Sequence, residues 1–141
     1  MSNFPSFEEK SSWVQLLTIV GVLGSYFAVA IPMLREGIYV LQAYAGLFAG
    51  AVVALIIVMV AGHVFAALMG TPEDADERDR LIAWKAESRS SWIMGIGSFT
   101  AITALLLNLE SAWVAHILLL SLCLSEVLKN VLQIIAYRRG A

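Results

Sequence analysis

From Ile38 to Met69 the chain carries no Asp, Glu, Lys or Arg. No other feature constrains the fold as tightly. Roughly 20 mostly apolar residues cross a bilayer as a helix, and a soluble domain of this size has no core able to hide a longer run. Three further segments carry the same signature, at residues 13–34, 92–109 and 112–137. The third is shorter but uncharged. Composition agrees, because 60% of the 141 residues are hydrophobic, against about 45–50% in ordinary globular chains. Mean hydropathy is +0.80.

The connections at Arg35–Gly37 and Glu110–Ser111 are very short, so each pair of spans is expected to form a helical hairpin. Pro32 falls near the end of the first span, where a lost backbone hydrogen bond is tolerated. The predicted fold is all-α. It is a four-helix integral membrane bundle made of two hairpins in one domain over residues 1–141. Ala28-Val29-Ala30 resembles a signal-peptide cleavage site. Glu8 and Glu9 beside a single Lys10 make a poor n-region, so a retained span is expected.

Lys and Arg set the orientation. Lys10, Arg78, Arg80, Lys85, Arg89, Arg138 and Arg139 fall on one side, and only Arg35 on the other. Both termini and the 70–91 segment are therefore expected in the cytoplasm. Trp13, Tyr39, Trp92, Trp113 and Tyr137 lie at span ends, as interfacial aromatics do.

Thr71 suits an N-cap and Pro72 a first helical position. The third helix is thus expected to begin near Pro72 and to project about five turns into the cytoplasm over residues 72–91. Arg78, Ile82, Lys85 and Arg89 share one stripe of it. Arg78, Lys85 and Arg89 are candidate contacts for an anionic lipid or a cytoplasmic protein partner, at roughly 1 kcal/mol per charge for a membrane surface. The plainer reading is a solvated face that also sets topology. Trp84 lies on a similar face to Trp92 and is expected to touch bilayer or protein, including the N-terminal arm with Phe4 and Phe7.

The last span is polar in its second half. Glu126, Asn130, Gln133 and Tyr137 recur at one-face spacing, with Lys129 beside them. Measured from Tyr137, Glu126 lies about 16 Å from the cytoplasmic end, near mid-membrane. Side chains lean toward the helix N-terminus, so Lys129 is expected to pair with Glu126. The stripe reads either as polar glue between helices or as an ion or substrate path.

His63 and His116 raise the question of haem ligation. Their depths differ by on the order of 20 Å, so each is expected to be a hydrogen-bonded structural histidine. No cofactor and no metal site is expected. P-loop, G-x-S-x-G, H-E-x-x-H and C-x-x-C motifs are absent from the sequence, which points away from an enzyme. The lone Cys123 excludes an internal disulfide. Scattered charges with a net of −2 make no nucleic-acid surface. Gly46-Leu-Phe-Ala-Gly50 matches the small-residue packing motif, within the chain or between copies. Four spans enclose little space, which favours a homo-oligomer. Lys10-Ser-Ser-Trp-Val and Arg89-Ser-Ser-Trp-Ile echo one another, by duplication of a hairpin or by convergence on a common helix start.

Asp76-Glu-Arg-Asp-Arg-Leu-Ile82, Glu126-Val-Leu-Lys129 and Tyr137-Arg-Arg-Gly140 resemble a family of small bacterial four-helix inner-membrane proteins of unassigned function. The resemblance covers roughly the last seventy residues. It implies the four-helix fold and a bacterial inner membrane, and it transfers no activity. Two functions are expected to compete. One is a non-enzymatic interaction or regulatory protein using the 72–91 helix with Arg138 and Arg139. The other is an oligomeric transporter or channel with a polar path at Glu126.

Overall fold

The structure is a computed structural model that describes residues 7–68 and 76–139. All the regular elements described are helical: α1 (Phe7–Arg35), α2 (Ala45–Leu68), α3 (Glu77–Leu106) and α4 (Ser111–Arg139), with a single 3-10 turn at Leu41–Tyr44 leading into α2. Thus four helices are present, as expected.

Both hairpins are closed by the same device. Gly37 takes the left-handed conformation at φ 85°. Its N–H donates to Leu34 O and the Ile38 N–H donates to Met33 O. That pair of bonds satisfies the carbonyls left over at a helix end. Asn108 does the same after α3 at φ 57°, with its own N–H on Leu105 O and that of Leu109 on Ala104 O. Asn is the non-glycine residue that tolerates this conformation best. The Tyr44 hydroxyl then donates to Ile38 O at 2.6 Å and locks the entry to α2.

α3 begins later than the sequence suggests. Its N-cap is Asp76, which accepts from the Asp79 N–H while Asp79 accepts from the Asp76 N–H. This reciprocal capping box outcompetes a start near Pro72, because it satisfies two donors at once. Thr71 and Pro72 themselves lie outside the described residues.

The helices pack in series, as α2–α1–α4–α3. α1 and α4 are central, and α2 and α3 form no extensive pair. A twofold duplication of hairpins would pair α2 with α3 as α1 pairs with α4, so the packing favours convergence for the Ser-Ser-Trp echo. Core clusters lie between α1 and α4. Tyr26, Ala30, Leu34, Tyr44 and Ala112 fill the end near the hairpin turns, and Ile19, Leu23 and Cys123 fill the middle.

The tightest helix approaches are not at the Gly46–Gly50 motif. A side chain added at either of those glycines would meet nothing. Among the described residues, nothing packs on that face of α2. Close approach occurs instead where Gly62 faces Val14 and where Gly97 faces Ser121. On α3, the buried stripe is Ala86, Ser90, Gly97, Ala101 and Ala104, capped by Ile82. Those small side chains let α3 lie close to α4, as membrane-type packing favours.

Among the described residues, three helical segments are long and apolar enough to cross a membrane: Phe7–Arg35, Leu41–Leu68 and Ser111–Arg139. α3 is long enough, but its uncharged part runs only from Ser90 to Leu106. That is about 25 Å of helix, short of the roughly 30 Å hydrocarbon core.

Candidate functional site

Interhelical contacts fix the register of α3 and α1 against α4. Tyr137 lies beside Asp79 of α3. Lys129 Nζ lies 3.6 Å from Glu87 Oε2, and the Ser125 hydroxyl donates to Ser90 O at 3.1 Å. On the other side, Arg138 Nε donates to Glu9 Oε1 at 3.3 Å and stacks over the Trp13 ring. The Ser12 hydroxyl is 2.9 Å from Gln133 Oε1. Counting from these contacts, Trp13 and Trp84 are level with one another, near Leu132 and Gln133. Trp92 is two turns closer to the hairpin end. Trp84 and Ser12 accordingly line the same crevice.

The polar half of α4 resolves into separate tasks. Lys129 does lean back onto Glu126, as expected, and the pair is bonded. It also reaches across to Glu87 of α3. Glu126 and Glu87 were expected at very different depths, one mid-membrane and one in the cytoplasm. The shared ammonium places them at one level, so the two expected depths do not both hold. α4 is 29 residues, or about 43 Å, longer than the roughly 30 Å hydrocarbon core.

Asn130 is fully buried. Its Nδ2 donates to Glu126 O of its own helix, and its Oδ1 has no partner among the described residues. The expected interhelical partner is therefore found for Gln133 and not for Asn130. Glu126 keeps a third of its side chain exposed.

The crevice, about 420 Å³, is lined by Glu8, Ser12, Glu87, Lys129 and Gln133 among others. It is polar and open at the Trp84 level. It does not continue between α1 and α4, because Ile19, Leu23 and Cys123 pack there.

On the opposite flank, α3 and α4 enclose a larger groove of about 840 Å³. Arg78, Ile82, Lys85 and Arg89, the stripe expected on one face, all line it. α4 adds Arg139, expected to share a contact end with the 72–91 helix. Antiparallel pairing is the reason: it brings the Arg-Arg tail beside the start of α3. Among the described residues, Lys85, Arg89 and Arg139 have no ion-pair partner within 4 Å.

Each histidine is satisfied separately. His63 Nδ1 faces Met59 O at 2.8 Å, so it carries the proton, and Nε2 accepts from the Ser11 hydroxyl at 2.9 Å. His116 repeats this with Ala112 O at 2.6 Å and the Tyr26 hydroxyl at 2.8 Å. The carbonyl on Nδ1 selects the tautomer in both cases. Ser11 and Tyr26 were missed as partners, because no local spacing in the sequence links them to residues on another helix. No protein-family model, no curated protein and no solved structure matches this chain.

Proposed function

We propose that the chain is a non-enzymatic four-span membrane protein with both termini on the cytoplasmic side of a bacterial inner membrane. Its contact surface is the ledge formed by the first half of α3 and the last turns of α4. The observation that carries this is the grouping of Arg78, Lys85, Arg89 and Arg139 around one groove at one end of the helix array. Seven of the eight orienting cations named above belong to that end. A positive end is the cytoplasmic end in membrane proteins.

The register supports a fourth span. Taking the hairpin turns as the outer boundary, about 30 Å of core ends some 20 residues down each helix. That level falls near Gln15 on α1, Lys85–Ala86 on α3 and Val131 on α4. Trp13 and Trp84 then mark the inner interface, and α3 crosses from Trp84 rather than from Trp92. Glu126 lies in the inner third, where Lys129 compensates it. The open Gly46–Gly50 face of α2 is where a second copy would pack.

The transporter reading draws on the crevice at Lys129. Its blind end at Ile19, Leu23 and Cys123 favours the interaction reading instead. Two measurements test the proposal. Single cysteines at Arg80 and Asn108, placed in a Cys123→Ala background, should label from opposite faces of sealed vesicles. Proteoliposomes should show no ion flux above empty vesicles. A flux lost on Glu126→Ala would sink the proposal in favour of a path.

A further inference from the structure

The groove between α3 and α4 has a chemistry beyond charge. Its floor is apolar, built by Leu81 from α3 and by Leu132 and Ile135 from α4. Leu81 and Ile135 remain 47% and 38% exposed, which leaves an unfilled hydrocarbon surface. Arg78 and Arg139 stand at one end, Lys85 in the middle and Arg89 at the other. Among the described residues, Glu77 is the one carboxylate in the lining.

Position decides what such a groove can hold. Lys85 is one residue past Trp84, and Leu132 is one before Gln133, so the floor is level with the Trp13–Trp84 belt. The polar layer on each side of the hydrocarbon core is about 5–7 Å deep, some four or five residues of helix. The groove centre occupies that layer. Arg89 sits just inside the core, where a long side chain snorkels outward toward a phosphate. A soluble anion would use the cations and leave Leu81 and Ile135 wet. A lipid uses both, with its phosphate at Lys85 and Arg89 and an acyl chain along Leu81, Leu132 and Ile135.

We infer that this groove is a binding site for an anionic phospholipid of the inner leaflet. The inference rests on the membrane reading above and names the ligand class of that same ledge. Basic pockets between helices on the cytoplasmic side bind acidic head groups, at about 1 kcal/mol per cation near the surface. Removing two cations should therefore weaken binding about 30-fold.

The test uses the full-length protein in a zwitterionic detergent, titrated with dioleoyl-phosphatidylglycerol or dioleoyl-phosphatidylcholine and read by native mass spectrometry. The expected result is at least about tenfold preference for phosphatidylglycerol. Lys85→Gln with Arg89→Gln should abolish the preference, and Ile135→Gln should weaken both lipids. Arg80→Gln should change nothing, since Arg80 lies outside the groove. Lys85 and Arg89 are exposed, so the double variant keeps the packing. If it nonetheless misfolds, each single variant should lose about fivefold. Wild-type preference in the double variant would overturn the inference. So would an equal loss in Arg80→Gln, which means diffuse surface charge. Competition by glycerol phosphate at the same concentration as the lipid would make this an anion site, and the inference fails. Insertion is read separately by the cysteine labelling. A correctly inserted protein without lipid preference loses this inference alone.

Discussion

The ammonium of Lys129 on α4 lies 3.6 Å from the carboxylate of Glu87 on α3, while it also bonds Glu126 one turn away. One cation thus serves two carboxylates from different helices. The three differ in exposure: the side chains of Lys129, Glu126 and Glu87 are 18%, 33% and 62% exposed.

That gradient ranks the substitutions. Lys129→Met removes the shared cation and leaves two like charges facing each other, so it should cost about 1–2 kcal/mol. Glu87→Gln touches the most exposed member and should cost well under 1 kcal/mol, as exposed pairs do. Adding Glu126→Gln to Lys129→Met should restore part of the loss, because the remaining carboxylate can reach water. Unfolding in mixed micelles reads all three. A Glu87→Gln cost equal to that of Lys129→Met would contradict a bridge centred on Lys129.

Small residues make a second contrast. Gly97→Leu drives a side chain into Ser121 where α3 and α4 lie closest. Overpacking of this kind costs about 1–3 kcal/mol, and the thermal midpoint in detergent should fall. A Cβ added at Gly46 or Gly50 meets no atom of the described residues, so Gly46→Leu and Gly50→Leu should leave the melting of the monomer unchanged. If a second copy packs on that face, the same two substitutions should lower the oligomer mass seen by light scattering. Equal destabilisation of the monomer by Gly50→Leu would show that α2 packs elsewhere than it does here.

Much of this arrangement is legible from residue patterns alone. Uncharged runs locate the helices, because a membrane-like run needs only length and polarity. Local geometry is legible too: Lys129 leans on Glu126 because both sit on one helix. The Arg78, Lys85 and Arg89 stripe survives for the same reason. What fails depends on partners far apart in sequence. Ser11 finds His63 across two helices. The Gly46–Gly50 motif is not used within the chain, because spacing tells which face is small, not whether another helix lies on it. The small face that is used, Ser90, Gly97 and Ala101 on α3, carried a comparable signal but lacked two glycines four apart. Capping misled as well. Thr71 and Pro72 make a plausible start, yet Asp76 and Asp79 satisfy each other's backbone and set the start at Glu77.

Depth is the quantity on which the functional reading turns, and tryptophan reports it directly. The register puts Trp13 and Trp84 at one level, beside Gln133 and Leu132, while Trp92 lies eight residues further along α3, about 12 Å nearer the hairpin end. All of Trp13, Trp84 and Trp92 retain exposed or half-buried rings, so each can meet quenchers in lipid. Single-tryptophan variants, with Phe at the other three positions, should separate by depth when quenched by lipids labelled near the head group or far down the acyl chain. Trp13 and Trp84 should respond alike and favour the shallow label. Trp92 should favour the deep one. Lys85 and Arg89 then lie at the inner interface and Glu126 in the inner third of the membrane. A shallow Trp92 with an unquenched Trp84 would move the boundary two turns along α3. It would leave Lys85 in water, take the α3–α4 groove off the bilayer, and make the Lys129 bridge an interfacial rather than an intramembrane contact.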